Sequence, residues 1–344
     1  MEFIKQQRRI KMNTFNRETI KKILKAIGIE NGELVLLQFW GDDKDRDTLH
    51  NFSYEVAALG AAPIELQQSR EINCEIFNIS NNTCFNEKYF SLFDNIDIII
   101  DICMYRAVVP SENLQKDKFE LYRKYMGQLF STLSKKKKFV QVRIPTEENA
   151  LESGLEPTTF IEKMNEAYNI DYEDLRNRCE EKVTELEGKN LVLIKTGENC
   201  ELTLSLEERK WFIDAGDGDL PCGEVSIAPI ENKTNGSVYF EKIFVDIGEV
   251  AKNVILTIEN GKIIKSNSDI FNEFLSELPP NGDIICELGI GMNNNVKELS
   301  GYLVLDEKMI NTFHLGIGMN TLFGGTNECQ MHTDFVGTGE LIFK

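Results

Sequence analysis

Apolar and polar positions follow two different periods along this chain, and the change of period divides it. Isoleucine and leucine recur at helical spacing through residues 17–27, so that segment reads as an amphipathic helix. The short apolar run Leu34–Phe39 follows and ends in Trp-Gly, which suits a strand. Residues 47–59 read as a helix capped by Gly60. Ala62–Leu66 and Ile96–Cys103 read as strands, residues 115–134 as a helix, and Phe139–Ile144 as a strand closed by Pro145. Strands separated by helical stretches predict βαβ units and a mainly parallel sheet.

Residues 158–187 are highly charged and helical, with no Pro or Gly from Thr158 to Leu186. After Gly188 the texture changes. Leu191–Ile194, Glu201–Leu206, Val238–Val245, Val254–Glu259 and Lys262–Ser266 read as strands punctuated by Gly and Asn. The fold class expected is therefore α/β. An N-terminal βαβ domain spans 1–187, and a β-rich C-terminal domain spans 188–344.

Composition narrows the function. Lys and Arg total 38 against 56 Asp and Glu, a formal charge of −18, so the chain lacks the basic footprint that nucleic acid or anionic lipid requires. Hydrophobic residues make up 42% of the chain, 21 of them Phe, enough to bury a sizeable core. No run approaches the ~18 apolar residues of a membrane span. The basic start, MEFIKQQRRIKM, lacks the apolar stretch of a signal peptide, and the residues before Met12 read as a ragged extension. The eight cysteines are scattered with no CxxC pair, which points to reduced thiols in the cytoplasm. The run Lys135–Lys138 reads as a solvated helix end.

The chemistry must come from elsewhere than the easily recognised motifs. HExxH, GxSxG, the P-loop and the HxE…PCxxC pair are absent, and no GxGxxG follows a strand. One repeat stands out: ELGIGMN at 287–293 and HLGIGMN at 314–320 differ only in their first residue, Glu287 or His314. Both residue types bind divalent metals. Each copy is expected to follow a short strand (Ile284–Cys286 and Asn311–Phe313) and to continue as a flexible Gly-x-Gly stretch. In Met331-His332-Thr333-Asp334-Phe335, strand geometry would project His332 and Asp334 to one side. Two of the three histidines thus fall within 314–332. The turn at Asp214-Ala-Gly-Asp-Gly-Asp would deliver Glu224 into a strand over Val225–Ala228. Glu307 stands open between ligand and surface charge; Cys222 and Cys286 read as small buried residues.

The segments PCGEVSIAP (221–229), CELGIGMN (286–293), DEKMINTFHLGIG (306–318) and GGTNECQMHTDF (324–335) resemble, in that order, the metal-binding segments of the M29 metallo-aminopeptidases, the aminopeptidase T and aminopeptidase S group. The stretch from Gly28 to Leu66 resembles that family's N-terminal domain, so the resemblance covers most of the chain. It implies a metal-dependent aminopeptidase that acts on a small peptide or amino-acid amide, and a homodimer. Carried over by position, it implies metal ligands at Glu224, Glu287, His314, His332 and Asp334. Glu224 and Glu307 become the candidates for proton transfer, and the cofactor becomes one or two divalent ions, Zn, Co or Mn. Where the family's peptidases carry a tyrosine a few residues beyond the histidine, this chain has Met319-Asn320-Thr321-Leu322. A shorter branch of the superfamily resembles the 2,5-dihydroxypyridine dioxygenases, in which a single non-haem iron would take His314, His332 and Asp334. A catalytically altered biosynthetic relative on the same scaffold is the remaining alternative.

Overall fold

The structure is a computed structural model and describes residues 15–344. The expectation about Met12 lies outside the described residues. The chain divides into two units: one runs to Tyr172 and also includes Gly216–Pro221, and the other comprises Glu173–Ala215 and Cys222–Lys344.

The first unit is built on a parallel sheet of order β2-β1-β3-β4-β8. Its strands are β1 (Leu34–Trp40), β2 (Ala62–Gln67), β3 (Ile98–Cys103), β4 (Lys138–Arg143) and β8 (Asp219–Leu220). The central strand β3 is buried along its whole length, as expected of a parallel strand covered on both faces. Helix Arg17–Ile27 buries Ile20, Ile23, Leu24 and Ile27, the apolar stripe of its sequence. Asn16 caps it by accepting from the Glu18 and Thr19 amides, and Gly28 ends it in the left-handed region at φ 70°. One row breaks the apolar pattern. Gln38, Asp101 and Gln141 lie in register on β1, β3 and β4. Gln38 donates to Asp101 Oδ1 at 2.6 Å and Gln141 to Oδ2 at 3.0 Å. The lysine run is tied down as well, with Lys137 paired to Glu33 at 2.6 Å and Lys138 to Asp217 at 3.6 Å.

The second unit begins ahead of the expected position 187. The charged stretch 158–187 is two helices, Pro157–Tyr168 and Tyr172–Leu186, although neither Pro nor Gly separates them. Residues of the later helix bond within the second unit, Arg178 to the Met292 carbonyl at 2.7 Å and Cys179 to that of Glu224 at 3.9 Å. The expected tight turn at 214–219 is a longer excursion, because Asp219–Leu220 pairs with β4 before the chain enters the second unit again at Cys222.

This unit holds two antiparallel sheets. The larger has the order β12-β11-β10-β6-β5-β16, from β5 (Leu191–Thr196), β6 (Cys200–Ser205), β10 (Asn235–Asp246), β11 (Glu249–Glu259), β12 (Lys262–Ser266) and β16 (Glu340–Phe343). The smaller has the order β15-β14-β13-β9-β7, from β7 (Phe212–Asp214), β9 (Glu224–Ile227), β13 (Ile285–Gly291), β14 (Phe313–Gly318) and β15 (His332–Gly337). Ile227, Leu288, Leu315 and Phe335 make one cross-strand row of the smaller sheet. They share a core with Val192, Leu202, Phe240 and Leu256 of the larger sheet. One face of the smaller sheet is therefore hydrophobic core, and strand alternation turns the intervening residues to its other face.

Both copies of the LGIG repeat lie inside strands, not after them. The flexible Gly-x-Gly stretch expected from sequence is paired backbone, because Leu288 in one copy and Leu315 and Ile317 in the other anchor the strands in the core. Among the described residues, no helix is long and apolar enough to cross a membrane.

Candidate metal centre

The second face of the smaller sheet gathers the candidate residues. Glu224 opens β9, Glu287 lies on β13, His314 on β14, and His332 and Asp334 on β15. Their neighbours across the ladder are glycines. Gly291 is opposite Glu224, Gly289 opposite His314, Gly316 opposite both Glu287 and Asp334, and Gly318 opposite His332. A Cβ at Gly289 would sit 2.0 Å from His314 Nε2, and one at Gly316 would meet Asp334 Oδ1 and Glu287 Cβ at 2.8 Å. The repeated glycines thus clear a floor over which long polar side chains converge.

A bulge completes the arrangement. Ile285 pairs with Ile317 but Glu287 with Gly316, a register shift of one residue on β13. Ile285 and Leu288, three residues apart, can therefore both enter the core while Glu287 turns to the polar face.

His332 Nε2 lies 3.1 Å from Glu287 Oε2 and 3.2 Å from Asp334 Oδ2. These three residues form a group whose ligand atoms all fall within 4.8 Å of one another. The other ring nitrogen, Nδ1, lies 2.8 Å from the Met319 carbonyl, which orients the ring with Nε2 toward the carboxylates. Cys286 Sγ lies 3.5 Å from Nδ1, and burial pushes this thiol up to about 11. Cys222 and Cys286 are both buried, as read from sequence.

His314 and Glu224 form the neighbouring pair, Nε2 to Oε2 at 3.5 Å. Burial holds the His314 imidazole below its ordinary value against the pull of Asp334 and Glu287, so it stays neutral, the form that binds metals. Burial pushes the Glu224 carboxyl well above the usual range; Lys308 opposes this, and Glu307, Asp214 and Glu287 add to it. Burial likewise works against charge on His332 and Asp334, yet each stabilises the other's ion. The imidazole stands above its ordinary value and the Asp334 carboxyl is lowered to about 2.

Three buried atoms here lack a hydrogen-bond partner among the described residues: Glu224 Oε2, His314 Nδ1 and Asp334 Oδ1. Leaving such groups unmatched costs about 1–3 kcal/mol each. Carboxylates and imidazoles so placed are an oxygen and nitrogen donor set suited to a divalent ion.

Glu307 is buried, not a solvated turn residue, and its Oε1 lies 2.9 Å from Lys308 Nζ. Lys308 and Asp214 escape sequence reading. Lys308 is only 1% exposed, and its ammonium also reaches Glu224 Oε1 at 2.7 Å and Asp214 Oδ2 at 3.5 Å. The one signal for either was adjacency, because Lys308 follows Glu307 and Asp214 opens the turn before Glu224. His50 belongs to the first unit, 3.9 Å from Glu65.

The sequence model of the thermophilic metalloprotease (M29) family matches residues 58–342. No curated protein matches the sequence. Among solved structures the chain is similar to wild-type AmpT from Thermus thermophilus, with a TM-score of 0.68, 16% identity and 94% of each chain covered. It is also similar to a 2,5-dihydroxypyridine dioxygenase from Pseudomonas putida KT2440, with a TM-score of 0.64, 14% identity, and 95% of this chain and 92% of that one covered. At these identities both likenesses concern the fold, and they do not choose between the two chemistries. The family match covers most of the chain: the protein belongs to the thermophilic metalloprotease (M29) family, and so to a family of metal-dependent hydrolases.

Proposed function

We propose that the protein hydrolyses the amide bond next to a free amino terminus in a small peptide or amino-acid amide, at a divalent-metal centre formed by Glu224, Glu287, His314, His332 and Asp334. The observation that carries this reading is the convergence of Glu287, His332 and Asp334 on a glycine-cleared face, beside unpartnered buried atoms of Glu224 and His314. When bound, the metal supplies Lewis acidity toward the amide carbonyl and lowers the pKa of an attacking water. Met319 and the surrounding strands orient His332, and neutral His314 offers nitrogen to the neighbouring position. Glu224 and Glu307, bridged by Lys308, are the carboxylates within reach for proton transfer. The carboxylate-rich surroundings also favour a substrate's cationic amino group over an acidic one.

The residues that converge are one histidine and two carboxylates, with His314 facing Glu224. That favours the hydrolase over an iron site made of His314, His332 and Asp334. The eight cysteines form no disulfide, which supports a reducing, cytoplasmic setting. A homodimer follows from the family reading and is testable by light scattering.

The deciding experiment is metal analysis of protein purified without chelator, together with hydrolysis of unblocked amino-acid amides in Co²⁺ or Mn²⁺. One or two Zn, Co or Mn per chain and amide hydrolysis that His332→Ala abolishes support the proposal. A single oxygen-sensitive iron with no hydrolysis overturns it in favour of the dioxygenase reading.

A further inference from the structure

We infer that Lys308 is a positioning residue of the metal centre: its ammonium locks one oxygen of Glu224 and so aims the other at His314. This rests on the proposed metal centre and adds to it a residue that is not itself a ligand.

Three carboxylates from separate elements surround Lys308 Nζ. Glu224 Oε1 lies at 2.7 Å, Glu307 Oε1 at 2.9 Å and Asp214 Oδ2 at 3.5 Å. An ammonium has three donors and no acceptor, so it can satisfy one oxygen on each. Lysine is almost never fully buried unless paired, and this one is 1% exposed. The consequence falls on Glu224. Its Oε1 is held by Lys308, whereas Oε2 is buried without a hydrogen bond and lies 3.5 Å from His314 Nε2. A carboxylate with both oxygens free could rotate or chelate; with one oxygen clamped it presents a single donor in a fixed direction.

The backbone is built to hold the lysine there. Lys308 O accepts from the Asn293 amide at 3.0 Å, and Asn293 Nδ2 donates to the Cys222 carbonyl at 2.9 Å, two residues before Glu224. Gly291, the ladder partner of Glu224, makes the approach possible. A Cβ there would lie 1.9 Å from Met309 O and 2.9 Å from the Lys308 carbonyl carbon.

Electrostatics and positioning predict opposite outcomes when the lysine is removed. A cation that merely competed with the metal would, on removal, leave a site that binds Co²⁺ more tightly. A positioning residue would leave one that binds it more weakly. The test is Co²⁺ titration of the full chain, followed by calorimetry and by the ligand-field absorption of the bound ion, in wild type, Lys308→Met and Lys308→Arg. The inference expects Lys308→Met to weaken the ion held by Glu224 by about 10–100-fold, the usual effect of losing a residue that orients a ligand, with a shifted spectrum. Lys308→Arg should recover part of both. Unchanged or tighter binding with an unchanged spectrum overturns it, since a purely structural lysine would lower the melting temperature alone. If Lys308→Met does not fold, Asp214→Asn takes its place: it keeps the ammonium but frees one anchor. A several-fold weakening with a spectral shift then supports the inference, and an unchanged spectrum and affinity overturn it. Wild-type protein that binds no Co²⁺ would remove the metal-centre reading itself, an outcome distinct from either result.

Discussion

The His314 ring lies over Gly289 so closely that a single added methyl group would fall 2.0 Å from its Nε2. The two are ladder partners on adjacent strands, so neither can withdraw without breaking the sheet. The Gly-x-Gly repeat is thus a requirement of the site for space, more than a requirement for backbone flexibility.

Gly289→Ala should therefore remove activity and metal binding together, and destabilise the protein by about 1–3 kcal/mol through overpacking. Gly127→Ala is the contrasting control. It lies on the exposed side of helix Phe119–Leu133, where an added Cβ meets nothing within 4 Å. This change should stabilise by about 0.5–1 kcal/mol and leave hydrolysis intact. Denaturant melts and amide-hydrolysis assays of both variants check the pair.

Metal removal should loosen the second unit. A ligand at 100 times its Kd adds about 2.7 kcal/mol to stability, so a chelator should lower the melting temperature and added Co²⁺ or Zn²⁺ restore it. In His332→Ala the melting temperature should no longer respond to either. A chelator response that persists in this variant would place the ion elsewhere.

The buried row Gln38–Asp101–Gln141 predicts a pH effect in the first unit, which contains none of the candidate metal ligands. Burial pushes Asp101 up to about 6, partly offset by hydrogen bonds from Gln141 and Gln38. A carboxyl raised above its unfolded value costs stability once it must ionise. The cost is absent below about pH 4, grows between pH 4 and 6, and is complete above that. At about 1.4 kcal/mol per pH unit, the full cost is about 3 kcal/mol. Asp101→Asn should stabilise the protein by an amount of this order at pH 8 and have little effect at pH 4. Its amide can donate to Gln38 Oε1, which lacks a partner in the native row. Urea melts at the two pH values test this, and equal effects at both would refute the assignment.

Leu315 tests the other face of the sheet. It is fully buried between Leu288 and Phe335 on the core side. Leu315→Ala should cost about 2–5 kcal/mol in stability. At a temperature where the variant stays folded, its metal stoichiometry should be that of wild type, because the neighbouring residues on the polar face keep their strand positions. Calorimetric unfolding and metal analysis separate the two effects.

The sequence by itself determined the architecture of alternating elements in the first unit and the strand-rich second unit. Helical spacing at 17–27 encodes which face is buried, and the continuous apolar runs at 34–39 and 98–103 encode strands covered on both faces, and burial is what orders those elements. His332 and Asp334 were also legible as a pair, since a strand of any register puts alternate residues on one side. Three things were decided only by the tertiary structure. The β13 bulge aims Glu287 to the polar face, and it exists because Ile285 and Leu288 must both reach a core formed by distant strands. The interior place of the glycines is fixed by what lies across the ladder, which one strand's sequence cannot state. The burial of Lys308 is set by Asp214 and Glu224, far from it in the chain, so a lysine that local sequence assigns to solvent becomes the counter-charge of a buried acidic cluster.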